Sequence, residues 1–287
     1  MSATIQQRRT AADRAGRWLL LAPALLVVGA FFLVPMLAML AVSLRPETAA
    51  GLTLAAYGQV LGSAYHLRTF ALTIATGLLV TLCTVILGFP LANALSRSRG
   101  LARNWLLVLI ISPLLVNMVV RTYGWLLLLD KGGLLNTLLR LVGLPPLKLI
   151  YNYTGVIIGM THVFLPFMVL SIAGSLQGID HRLYESAEIL GATPVRQWTT
   201  ITLPLCRPGI LAGSMLVFSL TQGAFVTPLI LGGTDVRLAA VLVYTDTLVL
   251  FQWARGVAVS VVLLALLLLL LLVQRRVFGS EGGGFAG

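Results

Sequence analysis

Charge is scarce in this chain. Only 10% of its 287 residues are Asp, Glu, Lys or Arg, and nine acidic residues stand against twenty basic ones. Histidine occurs three times, as His66, His162 and His181, and cysteine twice, as Cys83 and Cys206. Residues this dispersed have no metal-ligand spacing and do not pair a nucleophile with a base, which argues against a metal site and an intramembrane enzyme. Cys83 lies inside one apolar run and Cys206 beside another, so both are expected to be free thiols. The phosphate loop G-x-x-x-x-G-K-[ST] is missing, so any nucleotide hydrolysis that drives this chain belongs to a separate subunit.

Apolar residues take the place of charge. They make up 58% of the chain and recur in runs longer than 18 residues, which marks a membrane protein and excludes a water-soluble one. A net charge of +11 would point to nucleic acid in a soluble protein, but here the arginines close apolar runs and report topology. A span needs about 20 residues to cross about 30 Å of hydrocarbon. Six candidates lie at 18–44, 69–95, 105–129, 153–176, 208–231 and 253–273. The first follows basic residues as a signal peptide does, yet it lacks a small-residue cleavage site and reads as a retained span.

Six spans put both termini on one side. With that side taken to include the 96–104 and 177–207 loops, it carries twelve Lys and Arg against seven on the other, which predicts that it is cytoplasmic. Trp18 and Trp105 then fall at inner interfaces, and Trp125, Tyr151, Tyr153 and Trp253 near outer ones, either as interfacial anchors or as packing residues. Pro23 and Pro35 predict a kink in a first span outside the core bundle. The chain divides into an N-tail at 1–17, a first span with outer connector at 18–68, a core at 69–273 and a tail at 274–287, of which Gly279–Gly287 is expected to be disordered. In the outer loop, Leu238–Val243 is too short to cross and is expected to lie on the membrane or dip into it.

Residues 179–208 interrupt this pattern with a predicted helical hairpin. Asp180 is placed to cap a first helix, with Ile179 and Tyr184 stapling its entry and Leu183, Ala187 and Leu190 recurring at helical spacing. Gly191 stops it, and Thr193-Pro194 starts a second short helix. Arg182, Glu185, Glu188 and Arg196 keep the hairpin at the membrane surface, where it can face another protein.

The hairpin resembles the cytoplasmic signature of bacterial ABC importer permeases: E-A-A, three residues, G, nine residues, I, one residue, L-P. Here it reads Glu185-Ser186-Ala187, Gly191, Ile201 and Leu203-Pro204, with both spacings intact and Ser186 in place of Ala. Two further stretches, Val120 to Trp125 and Ala224 to Gly233, resemble the spermidine/putrescine-type permeases, and the likeness covers about 69–273. Relatives in that group also carry opines, thiamine, aminophosphonates or other small organic solutes. Thr221-Gln222 departs from the pattern, since related chains often place an acidic residue there.

This resemblance implies an all-α, MetI-like permease of six transmembrane helices with a cytoplasmic coupling hairpin. The implied partners are an ABC ATPase dimer that binds ATP and Mg, a second homologous permease, a periplasmic solute-binding protein and the lipid bilayer of a bacterial inner membrane, with no nucleic acid and no cofactor on this chain. It also implies that Tyr184, Glu185, Ser186, Ala187, Leu190 and Gly191 dock the ATPase. The competing reading is a secondary transporter without an ATPase; that class buries coupling carboxylates and shows internal repeats, and the sequence places no clear carboxylate inside a span.

Arg121 is the one evident charge inside a span, where it costs about 2.5–3.5 kcal/mol at mid-depth. In an unbroken third span it lies roughly 12 Å from the outer end, and His162 and Gln222 lie roughly 14 Å from the ends of theirs. Asn117, one turn before Arg121, extends this layer inward. Either Asn117, Arg121, Tyr123, His162 and Gln222 line a substrate pathway, or Arg121 snorkels or pairs with Asp130 while His162 and Gln222 make structural interhelical hydrogen bonds. An arginine lining the pore suits a carboxylate or phosphonate better than a polyamine.

Overall fold

The computed structural model describes residues 22–24, 26–45 and 51–278. The N-tail at 1–17, Trp18 and the Gly279–Gly287 tail lie outside the described residues. Everything described is helix or connection. Five helices are long and apolar enough to cross a membrane, and a bent pair makes a sixth crossing if it is one span.

The first span, α1 (Ala22–Ser43), has none of its most apolar window buried and lies against the last helix, outside the core as expected. Its proline is absorbed by a π turn at Gly29–Leu33, closed by Val34 N–H on the Gly29 carbonyl. Pro35 has no N–H to offer Phe31, and the wider turn relieves the clash of its ring with that carbonyl. A short α2 (Ala55–Gly62) leads directly into α3 (Ala64–Arg97), longer at both ends than the expected 69–95.

The third apolar run, expected to be one helix, is two. Helix α4 (Gly100–Leu115) and the segment from Met118 to Leu141, which contains α5 (Met118–Leu129) and α6 (Leu134–Leu141), meet at an angle of 100°. Helix α7 (Tyr153–Gln177) matches its prediction, with Asn152 accepting from Gly155 N–H at 2.9 Å as the N-cap. After the hairpin helix α8 (His181–Ile189), α9 runs from Pro194 to Gln222 through a π turn at Trp198–Thr202. The expected fifth span therefore starts earlier and stops at Gln222, and α10 (Val226–Gly232) is a separate short helix. Helices α11 (Ala239–Val249) and α12 (Trp253–Phe278) are the last of the described residues.

The core is built on α3, α7 and α9, with Val80, Met160, Met168, Val169, Ile172 and Val217 buried among them. Small residues allow the close approach. A Cβ on Gly209 would collide with Ser175 Oγ and lie 2.6 Å from the Ser171 carbonyl, and one on Gly213 would lie 2.7 Å from Met168 Sδ. Gly209 and Gly213 thus form a G-x-x-x-G seam against α7. Buried threonines of α3 satisfy themselves on the preceding turn, Thr73 on Thr69 O and Thr76 on Leu72 O, both at 2.7 Å.

A second, smaller cluster joins α2, the start of α3, α11 and α12 through Val60, Phe70, Ala239, Leu242, Ala258 and Val259. The apolar segment expected on or in the membrane is therefore packed into protein: Ala239 N–H donates to Thr73 Oγ1 at 2.9 Å, and Val241 and Leu242 are buried. The same element corrects the reading that no carboxylate is buried. Asp246 is 1% exposed and takes Arg255 in a two-point pair, Nη2 to Oδ1 at 2.6 Å and Nε to Oδ2 at 3.1 Å. In sequence these two look like outer-loop charges; the π turn at Thr245–Val249 carries the carboxylate inward.

Candidate functional site: the helical hairpin and the broken third span

The hairpin forms from local chemistry. Asp180 accepts from Arg182 N–H at 3.0 Å and starts α8. Gly191, at φ +74°, ends it in a Schellman closure, with Gly191 N–H on Glu188 O and Ala192 N–H on Ala187 O, both at 2.9 Å. No heavy atom lies within 4 Å of a Cβ built on Gly191, so the backbone angle rather than space demands glycine. Thr193 then caps the next helix by accepting from Arg196 N–H at 3.4 Å. The second arm is not a separate short helix. It continues into α9, so the hairpin and a transmembrane span are one rod.

One contact ties the first arm to this rod and one ties the rod to the bundle: Tyr184 OH of α8 meets Thr202 Oγ1, on a buried residue of α9, at 3.0 Å, and the Trp198 ring packs edge-on to Phe89 of α3 at 5.3 Å. Tyr184 therefore holds the hairpin from within. The free face carries Ile189 and Leu190, 86% and 87% exposed, with Val195 beside them at 73%. Ser186 is exposed and Ala187 half-buried. Glu185 is exposed and lies 3.4 Å from His181 one turn back. An exposed apolar tip with a carboxylate at its edge is the kind of patch that marks an interaction surface. Between hairpin and bundle lies a polar cleft of about 540 Å³, lined by Arg97, Arg99, His181, Tyr184, Glu188 and Gln197 among others.

The other predicted residues fall around the break in the third span. Pro113 lacks the N–H that the Leu109 carbonyl needs, and Ser112 Oγ donates there instead at 3.0 Å. The chain leaves the helix at Val116, and Asn117 restarts it by accepting from Val119 N–H at 2.9 Å. Arg121 reaches back across the bend and donates through Nη1 to the Pro113 carbonyl. Asn117 is thus the cap of α5, its carbonyl taking the Arg121 N–H one turn on at 3.0 Å, and the depth reckoned for an unbroken span does not apply. Among the described residues Arg121 makes no pair with Asp130; its side chain binds the backbone.

The structure brings Trp125 and His162 together: Trp125 Nε1–H donates to His162 Nδ1 at 3.1 Å with the rings edge to face. Tyr123 is 55% exposed on the outer side of α5. Gln222 is separate in origin: it is the last residue of α9, 3% exposed, with its amide against Gly77 of α3. It therefore closes α9 rather than lying within a span that runs on to 231. Trp125 and Tyr153, read as anchors or packing residues, both pack inward; with the Thr76 proton on Leu72 O, the Tyr153 hydroxyl donates to Thr76 Oγ1 at 3.0 Å. Ser112, Pro113 and Trp125 were absent from the predicted site; the proline four residues before Asn117 is the sequence signal for the first two.

A helical bundle of this topology, with a broken span and a capped surface hairpin continuous with a span, defines an importer permease. The chain belongs to the family of binding-protein-dependent transport system inner membrane components, whose model matches residues 84–278. It is 32% identical over 240 residues, 81% of this chain and 84% of the relative, to the spermidine/putrescine transport system permease protein PotB of Haemophilus influenzae. It is 34% identical over 188 residues, 65% of this chain and 68% of the relative, to PotB of Escherichia coli K12. The molybdenum transport system permease protein ModB of Mycobacterium bovis is 33% identical over 165 residues, 57% of this chain and 61% of that one. A bacterial alginate ABC transporter, solved in complex with an alginate pentasaccharide-bound periplasmic protein, shares the fold at a TM-score of 0.74, 17% identity, 92% coverage of this chain and 95% of that one. The chain is a multi-pass inner-membrane permease of the ABC importer type, with an all-helical MetI-like fold, and it is a transport component rather than a catalyst.

Proposed function

We propose that this permease imports a polyamine of the spermidine or putrescine type. The carrying observation is the likeness to PotB across 81% of the chain. Arg121, whose charge would oppose a polycation in an open pathway, is turned onto the Pro113 carbonyl, which weakens the electrostatic case for an anionic solute. Thr221-Gln222 remains without an acid, so any carboxylates that meet the solute come from other positions or from the second permease. A similar second permease, an ATPase dimer binding ATP and Mg, and a periplasmic solute-binding protein complete the assembly in this reading.

The hairpin is the coupling element. Leu190 and the apolar tip, with Glu185, Ser186, Ala187 and Gly191, seat in the ATPase, while Tyr184 fixes the hairpin to α9. Because the second arm and the span are one helix, closure of the ATPase dimer moves α9, and its G-x-x-x-G seam carries that movement to α7. Both termini and the hairpin are cytoplasmic, on the twelve-to-seven basic asymmetry. Asn117, Arg121 and Tyr123 border the solute route at the bend, with His162 setting the position of Trp125 and Gln222 at the end of α9.

Uptake of radiolabelled spermidine and putrescine into vesicles carrying the whole importer tests the solute. Saturable, ATP-dependent uptake supports the reading. Uptake of an opine or aminophosphonate with none of a polyamine overturns it.

A further inference from the structure

The break between α4 and α5 places a helix end inside the membrane region, with residues 114–120 exposed around it. Irregular backbone at that depth is tolerated only where it is covered by protein or lines a water-filled cavity. The last four carbonyls of α4, from Ser112 to Leu115, have no N–H one turn ahead, because the chain turns away at Val116. A helix end of this kind carries a partial negative charge of about half an electron. Membrane transporters use broken-helix carbonyl ends of this kind to coordinate cations.

This end already holds a cation. The Arg121 guanidinium, from the first turn of α5, donates Nη1 to Pro113 O. Its Nε is buried and makes no hydrogen bond. The guanidinium is therefore engaged on one side only, on a carbonyl set with capacity for further N–H donors. Around it, Asn117 and Ser112 spend their side chains on the break itself, and His162 Nδ1 is taken by Trp125. Among the described residues no carboxylate pairs with the guanidinium.

We propose that the carbonyl end of α4 is a binding site, on the aqueous route, for an N–H-bearing cation, occupied by Arg121 in this conformation. An ammonium or guanidinium group of the solute exchanges with Arg121 at those carbonyls as it passes. This step rests on the polyamine reading for the identity of the passing group, but the site itself does not. Arg121 is thus a tethered competitor for the solute's charge.

The test uses the assembled importer in proteoliposomes, with Cys83→Ser as background and Val116→Cys as a reporter at the bend. Labelling of Val116→Cys by a membrane-impermeant thiol reagent is expected; an unreactive thiol means that the partner covers the bend, and it overturns the aqueous site. Arg121→Ala is expected to change the labelling rate about tenfold, the factor that a lost hydrogen bond to a charged group implies. Added methylguanidinium should restore the rate, and tetramethylammonium, which has no N–H, should not. Equal effects of the two ions, or no change in Arg121→Ala, overturn the site. Neither readout involves solute, so a failure of polyamine uptake in the wild type refutes the solute assignment separately.

Discussion

Replacing Asp246 with alanine should be strongly destabilising. Its carboxylate is 2% exposed and bound at two points by Arg255, while the arginine keeps 26% of its own exposure. Asp246→Ala deletes a buried carboxylate that accepts two N–H donors of Arg255, and breaking a buried charged pair of this kind costs about 3–5 kcal/mol. Solvent at Arg255 screens part of this, which favours the lower end, about 3 kcal/mol. For a chain of this size the loss corresponds to a fall in melting temperature of about 6–12 °C. Thermal unfolding of the purified permease in detergent, followed by tryptophan fluorescence, reads it. Asp246→Leu combined with Arg255→Met should recover most of the loss, since an apolar pair of similar volume is often no worse than a buried ion pair. A cost below about 1 kcal/mol for Asp246→Ala, the range of exposed ion pairs, would refute the claim that this pair ties α11 to α12.

Gly209→Val should force α9 off α7, since its Cβ meets the Ser171 backbone carbonyl at 2.6 Å. The expected cost is about 1–3 kcal/mol, read as a lower melting temperature, whereas Gly174→Val, at a glycine with nothing within 4 Å, should be close to neutral there. For topology, a cysteine in 96–104 should resist an impermeant thiol reagent in intact cells and one in 130–140 should react. The opposite order of labelling would invert the orientation and remove the docking site from the cytoplasm.

The hairpin was legible in the sequence because short-range chemistry dictates it. The Asp180 cap, the glycine needed at φ +74° and the Thr193-Pro194 restart each act within four residues. Span α7 was legible for the same reason, having a clean cap at Asn152 and an unbroken apolar run. The third span was not, because its apolar run passes through the break without a charge to mark it. What holds the break is tertiary: Arg121 reaches back eight residues to Pro113, and Ser112 masks the missing proline bond. Residues 223–225 likewise separate α9 from α10 within a run that reads as one span. Asp246 and Arg255 sit on different helices, and only the π turn brings them together. Periodicity locates apolar faces; it does not reveal where a polar side chain replaces a backbone partner.

The coupling role of the hairpin meets its most direct test in the copurification of the ATPase with Gly191→Leu, at matched permease levels in the membrane. Leucine at φ +74° costs about 1–2 kcal/mol locally and shifts the exposed tip formed by Ile189 and Leu190, while the spans insert as before. The account predicts normal insertion with loss of the bound ATPase and of transport. Undiminished ATPase copurification by that variant, at normal expression, would contradict it.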